Sequence, residues 1–240
     1  MPNLTPVRQG IAQGTLATNF STARESDSAS HSDSSTSSNS TVVEFFRDSG
    51  KGSTNYRFKR YFLCFDFSSY TSGTISNLVF NYRATTSTSG NLIEYRVAIL
   101  KFTGMGSGPS FTAYQDDEFF DEIDYTRAYT AISGTIPQWT DANSDATVSL
   151  NSTAITDAQN NGQLKMAIVQ YENDYNGSDS ASDRNYNYRI NFNTGASGFV
   201  PFLSFNFVAG YGNDVIGVSS ANISEINDVA TANISQVIGV

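Results

Sequence analysis

The run FKRYFLCFDF at 58–67 alternates so that Tyr61, Leu63, Phe65 and Phe67 share one face and Arg60, Phe62, Cys64 and Asp66 the other. A period of two with apolar side chains on both faces predicts a strand that is central in its sheet. ISNLVFNYRA (75–84) groups Leu78, Phe80 and Tyr82, and LIEYRVAILKF (92–102) groups Tyr95, Val97 and Ile99. TTSTSGN (85–91), between these two runs, reads as a hairpin loop. Further strands are expected at TLATNFSTA (15–23), TVVEFFR (41–47), ATVSL (146–150), LKMAIVQYE (164–172), YNYRINF (186–192) and FVPFLSFNF (199–207).

Helical signals are sparse. TAITDAQNNG (153–162) places Thr153 as an N-cap and Gly162 as a stop, which predicts one or two turns. RESDSASHSDSSTSSNS (24–40) holds no residue able to anchor in a core and reads as a loop. Roughly eight or nine strands with no helix long enough to cover a sheet must bury sheet against sheet, as a sandwich or as a barrel, and the jelly roll is favoured. The expected fold is therefore all-β, a jelly-roll or Greek-key β-sandwich over residues 13–209. An N-terminal arm (1–12) precedes it and a short repetitive C-terminal tail (210–240) follows.

Composition agrees with this class. Of the 240 residues, 39% are hydrophobic and 13% aromatic, enough for a core. Gly, Ser, Thr and Asn are abundant, whereas Leu, Lys and Glu are sparse, a balance that favours strands. The net charge of -9 argues against nucleic acid and against an anionic membrane surface as partners. No apolar run is long enough to span a bilayer, and the first residues carry no secretory signal pattern. Cys64, the one cysteine, sits in an apolar run and reads as a buried small side chain.

Candidate chemistry is thin. His31, the one histidine, lies in the polar loop without a scaffold to fix it as a base, so a Ser-His-Asp reading has no force. The chain is expected to be non-enzymatic and to need no cofactor. Asp116, Asp117, Glu118 and Asp121 cluster in DDEFFDEID (116–124), where loop carboxylates offer oxygen ligands for Ca²⁺. ENDYNGSDSASD (172–183) is a second stretch of this kind, and solvated acidic loops are the alternative for both. Tyr125, Tyr129 and Tyr175, near loops, are candidates for stacking on a glycan, against the alternative of half-buried strand residues.

The tail carries the clearest repeat. Val215, Val218, Ile223, Ile226, Val229, Ile234, Val237 and Val240 recur with a period of eleven in V-x-[ST]-A-N-I-S-[EQ]-[IV]. The spacings of three and five defeat a single continuous strand. An eleven-residue period suits a helical stripe, yet Val, Ile, Asn, Ser and Thr are poor helix formers. Short extended pieces, a helical turn through A-N-I-S and a reversal at Asn227-Asp228 reconcile the two. Burying these side chains falls well short of the entropy of fixing residues 215–240, so order requires docking. The repeat is the expected partner-binding segment, on its own domain or on another subunit.

Two resemblances bear on identity. RYFLCFDFS (60–68) followed by ISNLVFNYR (75–83) resembles consecutive strands of the DNRLRE jelly-roll modules, with Tyr61 where those have a small residue. That resemblance implies a jelly roll of the carbohydrate-binding kind found on surface proteins. Residues 215–240 resemble C-terminal segments of structural proteins of tailed bacteriophages. This second resemblance implies a virion protein, assembled in the host cytoplasm, with other virion proteins and further copies of itself as partners. A display role as capsid decoration or as a head or tail appendage is the expected function. The alternative is an adhesin-like module that recognises cell-surface glycans.

Overall fold

The computed structural model describes residues 1–25, 29–33, 40–50, 53–89, 96–104, 122–131, 145–179, 186–192, 200–210, 225–226 and 229–230. The chain begins with β1 (Asn3–Leu4), β2 (Arg8–Gly14), α1 (Phe20–Arg24) and β3 (Ala29–Asp33). Three long strands follow, β4 (Ser40–Gly50), β5 (Ser53–Asp66) and, after a 3-10 turn, β6 (Gly73–Ser89). Then come β7 (Val97–Phe102), β8 (Ile123–Ala128), β9 (Asp145–Ser149), α2 (Ser152–Asn161) and β10 (Gln163–Gln170). β11 (Tyr186–Phe192), β12 (Phe202–Ala209), β13 (Glu225–Ile226) and β14 (Val229–Ala230) complete the order. The strands pair antiparallel, helices are few, and the arrangement is consistent with an all-β sandwich.

β5 organises the strands. Lys59 is in register with Glu44 of β4 and with Gln13 of β2, while Cys64 is in register with Lys165 of β10 and Arg8 of β2. One edge of β5 therefore belongs to β2, and β4 and β10 divide the other edge between its two halves. From there the pairing runs through β4 to β11 and β6, and through β10 to β7 and β8. Such a strand is covered on both faces, and the residues from Arg60 to Phe65 are all buried. The period-two pattern of this run anticipated that. Phe62 packs on Phe102 at 4.5 Å between ring centroids, and Phe67 packs on Phe205 at 5.2 Å.

The strand expected at 186–192 forms with those ends, and those expected at 41–47, 146–150, 164–172 and 199–207 form with shifted ends. The helix expected at 153–162 forms one residue earlier, capped by Asn151, whose side chain accepts from the Ala154 N–H at 3.2 Å. Gly162 ends it at φ 62, a left-handed conformation that glycine adopts without a Cβ penalty. Gly73 is required for a different reason: a Cβ there would lie 2.3 Å from the Val208 carbonyl oxygen and force β6 and β12 apart.

Four expectations are corrected. Residues 1–12 are not a separate arm, because β1 pairs with β12 and β2 with β5 and β3. RQGIAQG lacks alternation, but its small residues Gly10 and Ala12 are buried and its backbone closes the second edge of β5. The first strand expected at 15–23 is instead a single bridge, Ala17 to Tyr56, followed by α1. Asn19 caps that helix by accepting from the Thr22 N–H at 3.2 Å, and Phe20 docks edge-on against Phe45, Tyr56 and Phe58.

The polar run 24–40 contains β3, held by backbone pairing to β2 from Gly10↔Asp33 to Gly14↔Ala29. The hairpin loop expected at 85–91 is strand as far as Ser89, because β6 continues alongside β11. In both stretches ladder hydrogen bonds act without an apolar side-chain pattern to announce them.

Candidate functional site

Two polar clusters are built from one plan, an Arg and a Tyr hydroxyl converging on an Asp. In the first, β10 ends at Gln170, whose Oε1 accepts from the N–H groups of Asn173 at 2.5 Å and Asp174 at 3.3 Å. This caps a π-helical turn over Tyr171–Tyr175, closed by the Asn176 N–H donating to the Tyr171 carbonyl at 2.9 Å. The turn aims Asp174 inward at Arg60 of β5. Arg60 Nε and Nη2 donate to the two carboxylate oxygens, each at 2.8 Å, and both side chains are only 1% exposed. Tyr125 donates its hydroxyl to Asp174 Oδ1 at 3.0 Å.

Backbone carbonyls complete this first cluster. Arg60 Nη2 also donates to the Arg24 carbonyl at 2.7 Å, and Arg24 Nε donates to the Asp174 carbonyl at 2.6 Å. α1 is thereby tied to the turn. Around it Tyr175 stacks on Tyr125 and on Tyr171, Arg24 lies over the Tyr125 ring at 5.2 Å, and Arg96 lies over Tyr171 at 5.2 Å. Burial pushes the Tyr125 hydroxyl pKa up, so the group stays a neutral donor.

In the second cluster the acid is Asp157, on the inward face of α2 with Ala154 and Ala158. Arg127 Nε and Nη2 donate to its two oxygens at 2.8 and 2.7 Å, and the Tyr129 hydroxyl donates at 2.8 Å. Lys101 Nζ stands 3.5 Å away. Burial works against ionisation of Asp157, but the hydrogen bonds from Arg127 and Tyr129 and the charges of Lys101 and Arg127 outweigh it. Its carboxyl is held below the usual range. Unlike the first cluster, this one meets solvent, with the Arg127 side chain 38% exposed.

A cavity of about 370 Å³ opens beside this second acid. Lys101 and Thr103 line it from β7 and the residue after it, Gln163 and Lys165 from β10, Asp157 and Asn161 from α2. Phe102 and Tyr129, each 1% exposed, complete the lining. Lys165 Nζ donates to the Gly104 carbonyl at 2.9 Å, and burial pulls its ammonium pKa down. Burial also raises the Glu122 carboxyl near it. Cys64, on the adjacent strand, is fully buried and its thiol is pushed up to about 12 by burial. The cavity is lined by ammonium, amide, hydroxyl and carboxylate groups.

The sequence-derived site residues distribute unevenly over this geometry. Tyr125 and Tyr175 do come together, but in a stack where each ring already has a partner. Tyr129 is buried, with its hydroxyl spent on Asp157, and reaches only the wall of the cavity beside α2. Asp116, Asp117, Glu118 and Asp121 lie outside the described residues. Among the described residues no group of three or more His, Cys, Asp or Glu side chains is arranged to hold a metal ion. In the second acidic stretch, Asp174 is engaged by Arg60 and Tyr125.

Of the tail positions, Ile226 and Val229 are directly opposed in the antiparallel β13–β14 pairing. Val215, Val218, Ile223, Ile234, Val237 and Val240 lie outside the described residues. Arg60, Lys101 and Lys165 were missed as site residues, although Lys101 and Lys165 each interrupt an apolar strand run and Arg60 borders one, a legible signal for a buried or cavity-facing charge. In comparisons with known proteins, no family model matches the chain and no curated protein matches it.

Proposed function

We propose that the chain is a non-enzymatic structural protein of a tailed-phage virion, displayed on the particle as capsid decoration or as a head or tail appendage. It docks to other virion proteins, or to further copies of itself, through the C-terminal repeat. Assembly takes place in the host cytoplasm and the finished location is the virion. The observation that carries this reading is the pairing of the tail. Among the described residues, β13 and β14 bond to each other, in a sheet separate from the one formed by the other strands. A two-stranded ribbon is marginal in isolation, so order along the repeat depends on a folded surface. The jelly-roll path belongs to the same proposal and is supported by β5, whose shared edge sends strands in two directions.

Deleting residues 211–240 tests the reading. The truncated protein is expected to keep its near-ultraviolet circular dichroism and melting temperature while losing self-association in sedimentation and incorporation into particles. Full occupancy of particles by the truncated chain would refute it. A second reading, an adhesin-like module that recognises surface glycans, is favoured by one observation: the cavity beside α2, lined by several hydrogen-bonding side chains.

A further inference from the structure

Asn-Gly occurs twice in the sequence, at 161–162 and at 176–177. An asparagine followed by glycine is open to attack on its own side chain, because no Cβ on the glycine shields the backbone nitrogen that would reach Cγ. The freedom of that nitrogen decides the outcome, and the two places differ in it. Gly162 ends α2 in a buried position, where its carbonyl accepts from the Phe67 N–H at 2.8 Å. Thr71 and Ser68 stand 3.4 and 3.5 Å from where a Cβ on it would lie. Asn161 is thus followed by a glycine that the core holds in place.

Asn176 and Gly177 are both exposed, just past the π-helical turn. Among the described residues the Gly177 N–H has no acceptor. A cation lies beside it: the Arg24 guanidinium carbon is 3.6 Å from the position of a Cβ on Gly177, with Nη1 at 3.7 Å. A positive charge at that range favours loss of the amide proton, the step that makes the nitrogen a nucleophile. Asn176 has φ -75 and ψ -13, so ψ must turn before Cγ can meet that nitrogen. The bonds nearest to this rotation run from the Asn176 N–H to the Tyr171 carbonyl at 2.9 Å and from the Ser178 N–H to the Glu172 carbonyl at 3.1 Å. At Asn161 the same rotation would unwind the last turn of α2 and displace a buried glycine, which is the costlier opening.

We propose that Asn176 is a site of spontaneous deamidation and that Asn161 is protected from it. The Gly177 nitrogen bonds to Cγ of Asn176, the Cγ–Nδ2 bond breaks, and Nδ2 leaves as ammonia with the proton that Gly177 loses. Water then opens the succinimide at either carbonyl, giving aspartate or isoaspartate at 176. Either product sets a carboxylate where the Asn176 Nδ2 stood 3.5 Å from Glu172 Oε2, so like charges replace a donor and its acceptor. Isoaspartate also adds a backbone carbon between the Tyr171–Asn176 closure and Ser178, whose carbonyl accepts from Asn173 Nδ2 at 2.7 Å. The turn that aims Asp174 at Arg60 is thereby loosened. Neither functional reading is needed for this chemistry.

The test ages the full chain at neutral pH in isotopically labelled water and follows it by peptide mass spectrometry, with fragmentation that separates aspartate from isoaspartate. The peptide YENDYNGSDS (171–180), held alongside, gives the rate without a fold. In the folded protein Asn176 is expected to take up label at least about fivefold faster than Asn161. The aged chain is expected to unfold at lower denaturant, while Asn176→Gln aged in parallel keeps its starting midpoint. If that variant does not fold, the converted and unconverted fractions of the unmodified chain, separated by ion exchange, give the same comparison. Conversion of Asn161 as fast as Asn176 overturns the proposal, and so does an intact Asn176 over the time in which the peptide is consumed. Conversion of Asn176 with an unchanged denaturation midpoint overturns the loosening of the turn.

Discussion

Arg60–Asp174 and Arg127–Asp157 share a bidentate geometry and a tyrosine hydroxyl on the acid, yet they differ in where their charges sit. Both partners of the first are 1% exposed, whereas in the second Arg127 is 38% exposed and a cavity adjoins the acid. Burial makes the first a structural tie: β5, α1 and the turn after β10 all converge on it, and little of it meets water. Openness leaves the second able to respond to what enters from solvent. Similar hydrogen-bond lengths thus accompany different consequences, because the cost of losing one partner depends on what remains to solvate the other.

The largest expected effect tests the buried pair. Asp174→Ala leaves the Arg60 guanidinium without its carboxylate and is expected to cost about 3–5 kcal/mol in chemical denaturation. Replacing both, as Arg60→Met with Asp174→Leu, is expected to recover most of that loss, since no unpaired charge is then buried. Asp157→Asn, in the more open cluster, is expected to cost no more than about 1–2 kcal/mol, because water can reach the arginine left behind. Equal losses in the two clusters would break the comparison.

Acid unfolding sharpens it. The Asp157 carboxyl is depressed in the folded chain, so the unfolded chain binds its proton first as pH falls. The stability from this group is therefore present above about pH 4 and is lost as pH falls through the lower folded value. Asp157→Asn should flatten the pH dependence of the denaturation midpoint in that window; an unchanged slope would show that another group carries it.

A smaller effect concerns the core beside β10. Cys64 is fully buried with its thiol pushed up to about 12, so labelling by a disulfide reagent at neutral pH should require unfolding. Rapid labelling of the native chain would mean that the core around Cys64 opens to solvent. The smallest expected effect is at Lys165, whose depressed pKa holds stability back at neutral pH. Stability rises with pH through its folded value toward about 10.5, the same sign of slope as at Asp157 but in the alkaline range. Lys165→Met should reduce that rise in alkaline denaturation curves.

Much of the fold was legible because apolar alternation is a local signal. β5 declared itself a doubly covered strand, and the Asn-Gly boundaries of α2 lay within two residues of their expected positions. β2 and β3 did not declare themselves, since their partners are backbone groups and glycine, serine and alanine carry no pattern. The site was less legible than the fold. Tyr125, Tyr129 and Tyr175 were recognised as noteworthy, but their hydroxyls and ring faces are claimed by Asp174, Asp157 and one another. Which acid meets which arginine is a long-range fact: Arg60 and Asp174 lie on either side of most of the domain in sequence.

By itself the sequence determined the β character, the central strand, the short helix with its glycine stop and the eleven-residue repeat of the tail. Each of these depends on neighbours within a few positions, through side-chain period, capping or turn chemistry. Only the tertiary structure decided that the N-terminal residues complete the sheet and that two arginine–aspartate pairs are built alike. It also decided that Lys101 and Lys165 share a cavity. Those outcomes depend on strand order and register, which place residues distant in the chain within hydrogen-bond reach and set how much water stays with them.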